Sequence, residues 1–160
     1  YVAVNISSPN TEDLRKLSSE DYIEHLTKEL TLKANSLQKS HKKDVPIFLK
    51  LSPDEEDSNI EKIISTSLIN GISGFIVSNT TMGRYKNISG GISGKLLKTK
   101  SLNMLKKVKN LLGNESFVIS SGGISDKSDL IERLDNGAKL AQIYTSFVYE
   151  GPRVVEELLN

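Results

Sequence analysis

Apolar positions along this chain follow two alternating patterns. Five short runs, Val2 to Ile6, Ile47 to Leu51, Gly74 to Ser78, Phe117 to Ser121 and Leu140 to Tyr144, are β-branched and apolar enough to read as buried strands. Each is followed by a polar or glycine-rich turn and then by apolar residues at helical spacing. Ile23, Leu26, Leu30 and Leu37 share one helical face, and Ser18 with Asp21 reads as a capping box before them. Ile60, Ile63, Ile64 and Leu68 make a second stripe that ends at Asn70-Gly71. Leu102, Leu105, Val108 and Leu112 make a third, closed by Gly113. A fourth helix starts at Asp126, carries Leu130, Ile131 and Leu134, and stops at Gly137. Gly151-Pro152 sets proline as first residue of a last helix with Val155, Leu158 and Leu159.

Strand and helix alternating in this way require a parallel sheet with right-handed crossovers. An open doubly wound sheet gathers its chemistry at one switch point, whereas a (β/α) barrel gathers it from the C-terminal ends of many strands. Here every strand runs into a group capable of chemistry: Asn5, Lys50, Asn79, Gly122-Gly123 and Tyr144-Thr145. The pattern therefore predicts an α/β fold of the TIM type, (β/α)8, of which this chain supplies about the last five units. The sequence opens directly in a strand, without a start methionine or leader, so it reads as a single partial barrel domain over 1–160 with its N-terminal units missing. Such a piece is expected to expose a sheet edge and to fold poorly by itself.

Composition narrows the function. The chain has 160 residues, 37% hydrophobic and 26% charged, as expected of a globular protein. A net charge of +1 gives no support for nucleic-acid binding, which would need a clustered basic surface. The densest basic run, Lys39 with His41-Lys42-Lys43, reads as a solvated loop. There is no cysteine, which removes thiolate metal sites and cysteine nucleophiles, and two histidines are too few for a usual metal centre. His25, within a helical pattern, reads as a surface residue. No apolar run approaches the ~18 residues needed to cross a bilayer.

The first strand ends in Asn5-Ile6-Ser7-Ser8-Pro9-Asn10-Thr11. Ordinary turn chemistry accounts for such residues, but Asn5 and Asn10 can each donate and accept, which suits an imide or a carboxylate. Lys50 stands in an apolar strand, where a cation is costly unless it meets an anion. Ser78-Asn79-Thr80-Thr81 again joins an amide to hydroxyls at a strand end, and Gly90-Gly91-Ile92-Ser93-Gly94 reads as a flexible turn able to approach a ligand. Gly122-Gly123, followed about twenty residues later by Tyr144-Thr145, fits the phosphate site of late barrel strands. From the residues alone, the reaction stays open.

Taken together, NISSPNT from Asn5, Lys50, SNTT from Ser78, GGISG from Gly90, SGGIS from Ser121 and QIYTSF from Gln142 resemble the dihydroorotate dehydrogenases, in that family's order and spacing over nearly the whole chain. The resemblance implies an FMN-holding (β/α)8 barrel that oxidises dihydroorotate to orotate in pyrimidine (UMP) biosynthesis. Ser8 stands where the soluble class has a cysteine base, as in the membrane-associated class that passes electrons to a quinone. It implies Ser8 as the base that removes the C5 proton, with Thr11 and neighbouring waters as a proton route. Asn5, Asn10, Asn79 and Thr80 would bind the pyrimidine and its carboxylate. Asn5, Lys50, Ser78, Ser93 and Gly94 would contact the flavin, Lys50 stabilising negative charge on it, and Gly122, Gly123, Tyr144 and Thr145 would hold its phosphate. Thr11 to Ser19 would be a lid. No metal is implied, and membrane association would come from an N-terminal segment outside this chain, at a bacterial or mitochondrial inner membrane. Other FMN barrels, the dihydrouridine synthases and dihydropyrimidine dehydrogenases, would want a cysteine that is absent here.

Overall fold

A computed structural model describes residues 1–8, 20–113 and 116–160. In chain order its elements are β1 (Val2–Asn5), α1 (Glu20–His41), β2 (Ile47–Leu51), α2 (Asp57–Ile69), β3 (Gly74–Val77), β4 (Thr81–Tyr85), β5 (Ile88–Ile92), a 3-10 turn (Gly94–Leu97), α3 (Lys98–Leu112), β6 (Phe117–Ser121), α4 (Lys127–Asp135), β7 (Leu140–Gln142), α5 (Thr145–Glu150) and α6 (Arg153–Leu159). All five expected strands form, in one parallel sheet of order β1-β2-β3-β6-β7. The order follows the chain without reversal, so there is no switch point.

The two faces of the sheet differ. Ile47, Leu49 and Leu51 of β2, Phe75 and Val77 of β3, and Val118 of β6 pack with Ile60, Ile63 and Ile64 of α2 and Leu102, Leu105 and Val108 of α3 in the main core. The alternate residues Phe48, Ile76 and Ile119 form a small cluster of their own on the other face. Among the described residues, helices thus cover one side only, as on the outside of a barrel, and the inner side is left to line a site.

Several local expectations are corrected. The glycine-rich segment expected as a flexible turn belongs to an antiparallel hairpin over Thr81 to Ile92, β4 against β5, registered from Thr81↔Ile92 to Tyr85↔Ile88. Gly90, Gly91 and Ile92 are therefore strand residues, and only Ser93 and Gly94 follow as a turn. The connecting Lys86-Asn87 has none of the glycine that marks a two-residue hairpin loop; Lys86 itself takes the left-handed conformation, φ 55°. In α4, Ile131 and Leu134 are exposed, whereas Asp129 and Arg133 are buried. Lys39 and His41 lie in the last turn of α1, where cations complement the helix dipole. Pro152 is the N-cap of α6, one residue earlier than expected. The fifth strand stops at Gln142, and Thr145–Glu150 is a short helix. His25 is exposed, as expected. Ser18 of the expected capping box lies outside the described residues.

Candidate active site

Strand periodicity decides which residues meet. Asn5 is the register partner of Lys50, which is the partner of Ile76, and Lys50 shares the inner face with Phe48 two residues earlier. The C-terminal ends of β1, β2 and β3 therefore bring Asn5, Lys50 and Ser78-Asn79 to one rim. Asn79 Nδ2 donates to Asn5 Oδ1 at 3.1 Å and to Ser7 Oγ at 3.2 Å. Ser7, buried, donates its hydroxyl to the Lys50 carbonyl at 2.6 Å and its amide to Asn5 Oδ1 at 3.2 Å. The Asn79 side-chain oxygen accepts from the Thr80 amide at 2.9 Å. Ser7 is thus the hub of this rim, although in the sequence it looks like one more turn hydroxyl. Ser8, half-buried, comes next in the chain. Asn10, Thr11 and the expected lid lie outside the described residues.

A cavity of about 600 Å³ opens on the inner face. On one side it is lined by Lys50, Ser78, Asn79 and Thr80, and on the other by Gly122, Gly123, Tyr144 and Thr145. Ser93 and Gly94 complete it, with the Thr145 hydroxyl donating to Ser93 Oγ at 3.0 Å. Ten of the residues singled out in the sequence therefore surround one space. Asn5 and Ser8 are not among its lining residues; Asn5 reaches it through Asn79. Gln142 and Ser121 line it too, both at strand ends within the QIYTSF and SGGIS motifs.

Burial pushes the Lys50 ammonium below the ordinary lysine value. Among the described residues that ammonium has neither a hydrogen-bond acceptor nor a carboxylate partner. A half-buried cation of this kind makes the cavity a place for an anionic or electron-rich ligand. Gly122 and Gly123 both have positive φ, 105° and 73°. A Cβ on Gly123 would lie 2.4 Å from Lys98 Cα and 2.6 Å from its nitrogen, so only glycine lets this turn press against the start of α3. The Gly123 N–H has no acceptor among the described residues.

The hairpin is tied to this rim by Asp54, just after β2. Its carboxylate accepts from the Thr81 hydroxyl, from the Met82 amide at 2.7 Å and from Lys100 Nζ at 2.5 Å. Burial alone would raise the Asp54 pKa, but these three donors outweigh it and hold the carboxyl below the usual aspartate value.

The family model for dihydroorotate dehydrogenase matches residues 1–160. The chain belongs to the dihydroorotate dehydrogenase family. It is 40% identical over 167 residues to the dihydroorotate dehydrogenase (quinone) of Shewanella woodyi and to that of Shewanella sediminis. Each alignment takes in 100% of this chain and 49% of the relative, so the chain spans about half the length of these curated relatives. Among solved structures, DHODH from Eimeria tenella in complex with ferulenol superposes with a TM-score of 0.91 at 30% identity, covering 99% of this chain and 47% of that one. The ligand-free form from the same organism gives 0.90 at 29%. The one-sided parallel sheet is accordingly part of the family's TIM-type barrel, which this chain supplies with five strands.

Proposed function

We propose that this chain carries most of the catalytic rim of an FMN-dependent dihydroorotate dehydrogenase that reduces a quinone, in the pyrimidine (UMP) biosynthetic route. The observation that carries the reading is the single cavity shared by Lys50, Asn79 and the Gly122-Gly123 turn. Its donor set fits FMN: a cation without an anion on one side, and an unpartnered turn amide with adjacent hydroxyls on the other.

In this reading Asn5, Asn10, Asn79 and Thr80 bind the planar pyrimidine and its carboxylate, since amides and hydroxyls can match both donors and acceptors. Ser8 takes the proton from C5. Serine is a weak base at neutral pH, so its proton must leave along a route through Thr11 and neighbouring waters. FMN held in this cavity would supply the acceptor for the hydride leaving C6 and the redox link to a quinone. Lys50 stabilises negative charge that develops beside it. Ser78, Ser93 and Gly94 line the flavin's place, and Gly122, Gly123, Tyr144 and Thr145 hold its phosphate. Quinone as acceptor is supported by Ser8 at the cysteine position and by the name the relatives bear. Peripheral attachment to a bacterial or mitochondrial inner membrane belongs to the same proposal.

The test uses the full-length protein. Dihydroorotate oxidation is followed with a quinone, with fumarate and with NAD, for wild type and Ser8→Ala. The quinone should be preferred, and the substitution should lower kcat by about 10²- to 10⁴-fold. Undiminished turnover in the variant rejects Ser8 as the base, and preference for fumarate or NAD rejects the quinone assignment. Residues 1–160 alone, with β1 and β7 as unpaired edges, should retain no flavin on purification.

A further inference from the structure

Arg133 is fully buried in α4, yet the chemistry above gives it no task. A guanidinium is retained in such a place only where its hydrogen bonds are worth the lost hydration. Its Nη2 donates to two carbonyls at 3.0 Å each, Lys98 at the start of α3 and Gly122 in the turn. Nε and Nη1 find no partner among the described residues. Its neighbour one turn earlier, Asp129, is engaged elsewhere: it accepts from the Ser125 amide and hydroxyl and is paired with Lys98. Arg133 is thus committed to backbone oxygens and not to a carboxylate.

The Gly122 carbonyl receives a second donor, Ser101 Oγ at 2.7 Å, from α3. Both donors come from behind the turn, on the helix side. A trans peptide holds its C=O and N–H antiparallel in one plane. Clamping the Gly122 oxygen towards Arg133 and Ser101 therefore directs the Gly123 N–H to the opposite side of the peptide, and both glycines line the cavity. Two positive-φ glycines in succession would otherwise be free to rotate this peptide, because no side chain restricts it.

We infer that Arg133 is a positioning residue for an oxyanion: with Ser101 it locks the Gly122–Gly123 peptide so that the Gly123 amide is presented to a phosphate group in the cavity. This deepens the flavin reading and rests on it, since the phosphate concerned is that of FMN. A charge-assisted donor polarises the peptide it grips, so the amide on the far side becomes a better donor as well as a fixed one.

The test separates phosphate from ring. Dissociation constants of FMN and of riboflavin, which lacks the phosphate, are measured by flavin fluorescence on full-length protein stripped of flavin. Wild type should bind FMN far more tightly than riboflavin. Arg133→Met, similar in volume, should weaken FMN by about 10- to 100-fold, the range for losing hydrogen bonds from a charged donor. Riboflavin should change by less than about threefold. Arg133→Lys should restore most of the preference. Ser101→Ala should shift it in the same direction by about threefold to tenfold, and this milder variant decides the matter if Arg133→Met does not fold. Equal weakening of both ligands, or an unchanged FMN-to-riboflavin ratio in the folded variants, overturns the role of Arg133. A wild-type protein with no preference for FMN overturns the flavin reading itself.

Discussion

Asn79 donates its side-chain amide to the side-chain oxygen of Asn5 across 3.1 Å, joining residues 74 positions apart in the chain. The bond spans the ends of β1 and β3, passing over the intervening β2, and shares its donor with Ser7. Two amides that hold one another in this way present fixed edges to a planar ligand.

Removing either partner should also loosen the other amide, which is then left with its bonds to Ser7 or Thr80 alone. Asn79→Ala and Asn5→Ala should each raise KM for dihydroorotate by about tenfold. The double variant should be less than the product of the two, by a coupling of about 1 kcal/mol. Strictly multiplicative effects in a double-mutant cycle would mean that the two asparagines act independently.

Lys50 should show opposite effects on stability and activity. Its ammonium is partly desolvated without an anion, so Lys50→Met should stabilise the flavin-free protein, by less than about 1 kcal/mol because the head group keeps part of its hydration. The same change should lower kcat by about 10²-fold or more, through loss of charge stabilisation. Melting temperatures without flavin and turnover with it are the two measurements; a destabilised variant would contradict the desolvation argument.

Gly123 and Gly113 separate conformation from contact. Both have positive φ, 73° and 66°. A Cβ at Gly123 meets the Lys98 backbone, whereas at Gly113 nothing lies within 4 Å. Gly113→Ala should cost about 1–3 kcal/mol, the backbone penalty alone at φ 66° and ψ −152°. Gly123→Ala should cost about 3 kcal/mol or more, since backbone cannot step aside. Denaturant midpoints of the two variants give the comparison, and equal losses would remove the steric part of it.

Asp54 should contribute to acid sensitivity. Its folded pKa lies below the unfolded one, so its stabilisation is complete above about pH 4 and is lost as pH falls through the folded value. Burial pushes the Asp129 carboxyl up, but Lys98 and Ser125 outweigh it and hold it below the ordinary aspartate value, so it acts in the same sense. Asp54→Asn should cost about 1–2 kcal/mol at neutral pH and make the acid loss below about pH 4 shallower. Thermal melting across that range is the readout; a variant curve parallel to wild type would assign the acid limb to other groups.

Much of the architecture is local and therefore legible in the chain. Runs such as Ile47 to Leu51 and Gly74 to Ser78 read as buried strands from their short length, apolar content and flanking turn residues. The helical stripes between them make the sheet parallel, and the polar groups after every strand point to barrel geometry. Motifs at those strand ends also carried the family resemblance, because each is a contiguous stretch whose spacing the backbone preserves.

What the chain alone could not show depends on groups that meet only after folding. Ser7 looks like a turn hydroxyl until β1 and β2 are registered and its oxygen meets the Lys50 carbonyl. Arg133 looks like a solvated helix residue because its partners are backbone carbonyls of Gly122 and Lys98, which no side-chain pattern encodes. Hydropathy therefore turned α4 the wrong way, placing Ile131 and Leu134 inside. The hairpin from Thr81 to Ile92 is held by Asp54, 27 residues before Thr81, and by Lys100, 46 residues after Asp54. Hydrophobic periodicity determines which face of an element is buried on average. Only the tertiary structure decides where a buried charge can be satisfied, because that requires donors and acceptors from separate segments within about 3 Å.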